Sequence, residues 1–345
     1  MKHLIIRESG ENVYSYISEF MDVEDTTHNL IVSTSTAFNI EMQPQELYKG
    51  IVNLKRTNDI RRINKVFEAV NAKLELGGIF ISSVETYSLR KRRILKKFPP
   101  GINYFIYAID FFVKRAAPKL WGIKKLYFFI TAGRNRVLSK AETLGRLYSC
   151  GFKLIDESFM NNMYFFVVEK VKEPAFDYNP TYGPLIRLRR VGKNGKIIKV
   201  YKMRTMHAYS EYLQSYIYKN NDLEDGGKFK DDFRVTTMGR VMRKFWLDEL
   251  PMFINFFKGE LKIVGVRPLS EHYLSLYRED LRNKRIKFKP GLVPPFYYDM
   301  PTTLEEIMDS EEKYLDSYAK HPFLTDWRYF WRAFYNIFFK KARSK

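Results

Sequence analysis

The sequence predicts two domains, an α/β domain followed by an α+β, helix-rich domain that opens with a β-hairpin. Three observations lead there. Strand-length apolar runs alternate with helical periodicity up to residue 172, a pattern that layers helices on a sheet. A proline-rich stretch without periodicity follows at 173–184. Beyond it, two β-prone runs flank Asn194-Gly195, the favoured turn of a two-stranded hairpin. The expected division is therefore 1–172, a linker at 173–184, and 185–345.

Composition sets the limits. The 345 residues are 45% hydrophobic and 16% aromatic, enough for two cores and against a disordered chain. Lys and Arg outnumber Asp and Glu by 59 to 39, a net charge of +20, which points to polyanionic partners: nucleic acid, anionic lipid or phosphorylated substrates. Cys150 is the single cysteine and the five histidines are scattered. No intrachain disulfide can form, a reducing compartment is expected, and a His/Cys zinc site is not. The apolar run before Arg7 and Glu8 is too short for a signal peptide. No stretch reaches the roughly 18 apolar residues of a spanning helix.

In the first domain, residues 29–33 and 50–54 read as strands. Ile60, Ile63, Val66, Phe67, Val70 and Leu74 recur at helical spacing over 59–76. Gly77 and Gly78 are expected to stop that helix, with a buried strand over 79–84. Ser139 can cap a helix to Tyr148, and 152–156 and 163–169 can pair as closing strands. Leu74 to Phe80, Gly151-Phe152 and these terminal strands weakly resemble the second half of class I S-adenosylmethionine methyltransferases, over residues 29–172. The resemblance implies a Rossmann-like but incomplete scaffold, because no glycine-rich first turn of the G-x-G type precedes residue 77.

An insertion over 90–130 starts with Arg90, Lys91, Arg92, Arg93, Lys96 and Lys97. It continues through the aromatic run 102–113, Lys114 and Arg115, and a second apolar run at 126–130, with Asp110 as its one acid. Two readings stay open: an anionic membrane surface met by aromatics bracketed with cations, or core helices with a solvated basic face. Single-stranded nucleic acid ranks lower, since no nucleic-acid-binding motif is present.

The hairpin from Arg187 to Arg204 has eight basic residues and no acid, which favours an anion-facing ribbon over a merely solvated one. Further on, Asp248 and Glu249 precede Pro251, a residue suited to the first turn of a helix, where free amides and the helix dipole favour an anion. Two adjacent carboxylates beside a phosphate are commonly bridged by Mg²⁺. That chemistry suggests phosphoryl transfer.

Five blocks occur in order: Val200 to Met206, Arg234 to Arg240, Leu247 to Pro251, Asn255 with Lys258-Gly259, and Val264 to Pro268. Over residues 183–300 they strongly resemble the bacterial sugar transferases, the monotopic phosphoglycosyltransferases that act on polyprenol phosphate. The resemblance implies transfer of a phosphosugar from a nucleoside diphosphate sugar, expected to be a UDP-sugar, to undecaprenyl phosphate, initiating exopolysaccharide or other surface glycan synthesis. It implies Asp248 as the nucleophile of a covalent intermediate, Glu249 as its partner near Mg²⁺, and Arg267 as a phosphate clamp. Lys202, Arg204, Arg240 and Arg243 are further candidates for the phosphates, each weighed against ordinary surface charge.

The chain departs from the family at Val266, Met252 and after Gly291. The long apolar re-entrant helix that should precede the hairpin is replaced by the linker and the α/β domain. Attachment to the cytoplasmic face of the inner membrane, peripheral or monotopic, is therefore expected from residues 98–131 and from the C-terminus. There, Thr303 to Glu306 forms a capping box for a helix to Lys320. Thr325 or Asp326 is expected to cap a second helix with Trp327, Phe330, Trp331, Phe334 and Phe338 on one face. The competing functions are an inactive nucleotide-sugar-binding subunit of a glycan assembly complex and an S-adenosylmethionine-dependent glycan methyltransferase.

Overall fold

The computed structural model describes residues 1–120, 122–177, 182–220 and 232–340. They form two compact units: Met1–Gly183 with His207–Tyr216, and Pro184–Met206 with Ile217–Lys345.

The first unit is built on a five-stranded sheet: β1 (Asn29–Val32), β2 (Tyr48–Asn53), β3 (Leu74–Val84), β4 (Phe152–Met160) and β5 (Met163–Lys170), in the order β1-β2-β3-β5-β4. The first three are parallel, and β5 runs antiparallel to both β3 and β4. Three parallel strands are half the number in a two-halved Rossmann fold, so the α/β class holds and the scaffold is incomplete. Side chains alternate across β3 and β5 as a period of two requires. Ile81, Phe165 and Val167 join Ile5, Val13 and Ile17 from helices Lys2–Ser9 and Glu11–Ser18. On the opposite face, Phe80 meets Phe67 of helix Ile63–Lys73 at 5.8 Å and Phe166 at 5.9 Å between ring centroids.

The structure corrects the expected helix over 59–76. It begins at Ile63 and ends at Lys73, and β3 starts at once with Leu74. Gly77 and Gly78 lie inside the strand, where the pairing with β2 slips between Tyr48 and Gly50. A Cβ on Gly78 would sit 2.9 Å from the Glu75 carbonyl oxygen, so the glycines accommodate a bulge rather than stop a helix. Ser139 does cap helix Lys140–Ser149, accepting from the Glu142 N–H at 3.0 Å.

Segment His207–Tyr216 lies beyond the expected linker, yet it packs in the first unit. A Cβ at Gly145 would come within 2.4 Å of the Tyr209 carbonyl oxygen, so only glycine lets that backbone lie against helix Lys140–Ser149. Asn64 donates to the Tyr209 hydroxyl at 3.1 Å, and Arg115 to His207 Nδ1 at 3.0 Å.

The insertion forms helices Tyr87–Lys97, Ile102–Phe111 and Ile123–Thr131. Its basic cluster is not uniformly solvated, because Arg90 is buried between Asp110 at 2.7 Å and Glu85 at 3.2 Å. Ile102, Phe105, Ile109, Leu126, Phe129 and Ile130 remain exposed.

The second unit opens with the expected hairpin, β6 (Leu185–Val191) and β7 (Ile197–Met203). Asn194 and Gly195 take φ values of 57° and 72° at its turn. Two short parallel strands, β8 (Lys262–Val264) and β9 (Gly291–Val293), pair behind it. Val264, Val266, Leu281, Met308, Tyr314, Leu315 and Tyr329 form the main core. Helix Leu304–Lys320 has the capping box of Thr303 and Glu306. The last helix, Pro322–Phe338, begins earlier than expected, with Pro322 in its first turn, where the missing N–H costs nothing. Asp326 is no cap: it accepts from Lys262 at 3.0 Å and from the Tyr314 hydroxyl at 2.7 Å. Thr325, Tyr329, Ala333 and Asn336 form the buried stripe, while Trp327, Trp331 and Phe334 are exposed and Phe330 is half-buried. The side chain of Phe338 lies outside the described residues. Among the described residues, no helix is long and apolar enough to cross a membrane.

Candidate active site

Three consecutive residues of β7 tie the hairpin to the carboxylate turn. The Tyr201 N–H donates to Asn255 Oδ1 at 3.0 Å, Lys202 Nζ donates to Glu249 Oε1 at 2.7 Å, and the Met203 N–H donates to the Asp248 carbonyl at 2.8 Å. Asn255 is fully buried and also donates to the Lys199 carbonyl at 2.8 Å and to Glu260 at 2.6 Å. One amide thus satisfies backbone groups of β7 that no neighbouring strand reaches. The turn itself depends on Trp246, whose φ of 53° reverses the chain after helix Thr237–Lys244. Its ring stands edge-on to Tyr297 at 5.5 Å.

Arg267 is placed from the other side. It follows β8, and its carbonyl accepts from Arg285, which also pairs with the buried Glu311. That internal pair anchors the loop and leaves the Arg267 guanidinium half-exposed, 3.9 Å from Glu249. A cavity of about 50 Å³ opens here, walled by Arg190, Lys202, Glu249, Met252, Arg267 and Tyr297 among others.

Of the residues expected from sequence, Lys202, Glu249 and Arg267 meet at this cavity. Asp248 adjoins Glu249 in the chain but is not among the walls. Nor are Arg204, Arg240 and Arg243. Arg243 donates to the Thr205 hydroxyl at 3.0 Å and Arg240 is exposed. Arg190 and Tyr297 were not anticipated as site residues. The signal for Arg190 was present: in the hairpin register it pairs with Ile198, so it shares a face with Lys202, four residues on from Ile198.

The helix start at Pro251 does not supply the expected row of free amides. Leu250–Met252 is a single tight turn, helix Phe253–Phe257 is five residues long, and the Met252 N–H is already given to the Glu249 carbonyl at 2.8 Å. Cationic side chains surround the site instead.

Burial pushes the Asp248 carboxyl above the ordinary range and the adjacent Glu249 charge adds to this, while Lys202 and Arg243 pull it down. Asp248 is therefore more basic than an ordinary aspartate. A carboxylate whose proton affinity is raised by burial and by an adjacent carboxylate is part of a donor set a divalent cation would relieve. Mg²⁺ needs only one or two carboxylates when water and substrate phosphates complete its shell. Among the described residues, no group of three or more His, Cys, Asp or Glu is placed to hold a metal.

Comparison with known proteins bears on the same half. The chain is 33% identical to the galactosyl transferase CpsE of Streptococcus agalactiae, over 40% of this chain and 31% of that one. It is 38% identical to the exopolysaccharide production protein ExoY of Sinorhizobium fredii, over 30% and 48%. It is 36% identical to the undecaprenyl-phosphate galactose phosphotransferase of Salmonella typhimurium, over 30% and 23%. The chain thus spans less than half the length of each of these relatives. Among solved structures, a T. Thermophilus 16S rRNA methyltransferase shares 9% identity, over 58% of this chain and 48% of that one, with a TM-score of 0.22, too distant to carry weight. The resemblance drawn from the five blocks is matched over the C-terminal half of the chain: residues 176–340 fit the family model of the bacterial sugar transferases.

Proposed function

We propose that the second unit is a phosphoglycosyltransferase that moves a phosphosugar from a nucleoside diphosphate sugar, a UDP-sugar, to undecaprenyl phosphate, for exopolysaccharide or related glycan synthesis. The observation that carries this reading is Glu249, next in the chain to Asp248, set against Lys202, Arg190 and Arg267 in a chain segment that fits the sugar transferase family. A carboxylate oxygen of Asp248 attacks the phosphorus that bears the sugar. The bond from that phosphorus to the nucleoside monophosphate breaks, and the monophosphate leaves with the electron pair. The polyprenol phosphate oxygen then attacks the same phosphorus and restores the Asp248 carboxylate, so one displacement becomes two easier ones. Arg267 and Lys202 offset the charge gathering on the phosphoryl oxygens, the guanidinium with two parallel donors. Glu249, with Asp248, would hold Mg²⁺, which supplies charge neutralisation on the diphosphate.

Exposed aromatics support a membrane-facing role in each unit taken by itself. In the first, Phe105 of helix Ile102–Phe111 and Phe129 of helix Ile123–Thr131 are 68% and 87% exposed; Lys96 and Lys97 end the preceding helix Tyr87–Lys97, and Lys124 and Lys125 lie in the first turn of Ile123–Thr131. In the second, Phe323, Leu324, Trp327 and Trp331 line the outer face of the last helix. Rings of this kind beside Lys and Arg suit an anionic interface without a spanning helix.

Protein incubated with candidate UDP-sugars and Mg²⁺ is expected to gain the mass of one phosphosugar, located on Asp248 by peptide mapping. Addition of undecaprenyl phosphate then discharges it. Binding of the sugar nucleotide with no adduct and no turnover would mark a non-catalytic binding subunit instead.

A further inference from the structure

The first unit contains a cavity of about 370 Å³ that has no part in the proposed transfer chemistry, within the range of small-ligand sites. Nine Lys or Arg side chains line it and only one carboxylate, Glu142. Glu142 is buried and accepts from Lys119 at 2.8 Å and Arg146 at 3.0 Å, with Arg115 at 3.5 Å. Among the described residues it is the one carboxylate in an ion pair with any of the nine. Charge remains in large excess after that pairing.

Two further observations point the same way. The Nε atoms of Arg136 and Arg146 are buried without a hydrogen-bond partner, and Arg146 is only 4% exposed. Buried donors without acceptors are costly, and these belong to cavity walls. Helix Ile63–Lys73 also starts at the cavity, with neither a capping side chain nor an acid in its first turn, so its positive end faces the same space as Arg62 and Lys65. Burial comes first in lowering proton affinities here, with neighbouring guanidinium groups adding to it: Lys119 is held down at about 8 and Arg136, beside Arg146, at about 10. Aromatic rings keep the guanidinium planes in place, Arg146 lying 5.3 Å from the Tyr182 centroid and Arg136 lying 5.4 Å from that of Phe128.

We infer that this cavity binds a small ligand carrying two or more phosphate charges. Such a ligand supplies acceptors for the unpartnered arginine donors and counter-charge for the floor, in the bidentate manner guanidinium favours. S-adenosylmethionine is the wrong class, because its sulfonium would add a cation to this field. The inference does not depend on the catalytic reading of the second unit. The phosphate could be that of a soluble diphosphate or of a lipid headgroup, since the wall helix Ile123–Thr131 exposes Phe129 and Ile130 on its outer side.

The test is titration calorimetry on the full chain carrying Arg267→Ala, which weakens phosphate binding at the other site. The probes are inorganic pyrophosphate, a short-chain phosphatidate and S-adenosylmethionine. One phosphate probe should bind with one-to-one stoichiometry, and Arg62→Glu with Lys65→Glu should weaken it at least tenfold. Both residues are exposed, and an unchanged melting temperature would show that the fold is kept. Tighter binding of pyrophosphate assigns a soluble ligand, and tighter binding of the phosphatidate assigns a lipid. No binding of either, binding indifferent to the charge reversal, or saturable heat with S-adenosylmethionine overturns the inference. Adduct formation on Asp248, measured with Arg267 restored, is expected to survive the double reversal, so the two readings fail separately.

Discussion

Glu142 and Asp248 are both carboxylates in cationic surroundings, and their surroundings act on them in opposite directions. Glu142 is buried, and Lys119, Arg146 and Arg115 together hold its carboxyl well below the ordinary range despite burial. Asp248 is half-buried with Glu249 beside it, and burial and that second negative charge win over Lys202 and Arg243. A fully compensated carboxylate is a weak base and a weak nucleophile. An under-compensated one keeps its electron density available. The first arrangement suits holding cations in place for a ligand, and the second suits the attack on phosphorus proposed for Asp248.

The sharpest way to break this comparison is to neutralise each carboxylate in turn. Asp248→Asn removes the charge of the proposed nucleophile, and phosphosugar transfer should fall by roughly a thousandfold or more, as when a group central to the mechanism is deleted. Its melting temperature should be little changed, because the tie of this turn to β7 runs through the Asp248 carbonyl rather than the side chain. Retention of near wild-type turnover would remove Asp248 from the mechanism. Glu142→Gln should do the reverse. It strands two buried arginines and the partly buried Lys119 and should cost about 3–5 kcal/mol of stability, the range for breaking a buried pair from one side. Chemical denaturation measures this, and millimolar pyrophosphate should restore part of the loss.

The two carboxylates also differ in how far they could be read beforehand. Asp248 and Glu249 stand in a short ordered block, and Arg267 in another, so the chemistry proposed for them was drawn from local sequence. The hairpin was equally legible, because Asn194-Gly195 demands one turn and the flanking strands alternate. Glu142 was legible only in part: Arg146 stands four residues on in the same helix, but Arg115 and Lys119 come from the insertion and reach it only through the tertiary fold. Gly145 admits the Tyr209 backbone against that helix, yet in sequence it is simply a glycine in a helix. The bulge at Gly77-Gly78 was misread for a related reason: paired glycines stop helices more often than they bend strands, and only register with β2 decides between the two.

A smaller effect tests the cationic field of the first unit by pH. His207 is buried beside Arg115, and burial first, then that guanidinium, lowers its pKa to about 3. Arg115 donates to Nδ1, so the neutral ring carries its proton on Nε2. Between pH 6.5 and 3 the unfolded chain binds a proton here that the folded chain refuses. Stability is thus fully present above 6.5 and is lost as pH falls toward 3, by at most about 1.4 kcal/mol per pH unit. His207→Asn keeps an acceptor for Arg115 and does not titrate, so its stability-pH curve should be flatter than that of the wild type over this interval. Parallel curves would show that the field around Arg115 is already compensated.

The weakest contrast lies within the second unit, between two arginines of unequal standing. Arg190 was not singled out from sequence, yet it walls the cavity with Lys202 and Arg267, and burial first, then the Arg267 charge, lowers its proton affinity. Like charges held together in this way are relieved when an anion arrives, so Arg190→Gln should weaken sugar-nucleotide binding by about tenfold, roughly 1.4 kcal/mol, with a smaller change in kcat. Arg240 was singled out, but it is exposed and does not line the cavity. Arg240→Gln should leave KM and kcat within about twofold, as for surface charges generally. If the order were inverted, with Arg240 controlling KM and Arg190 silent, the diphosphate would have to bind along helix Thr237–Lys244 rather than in the hairpin cavity. The face shared by Arg190 and Lys202 would then be only a solvated ribbon.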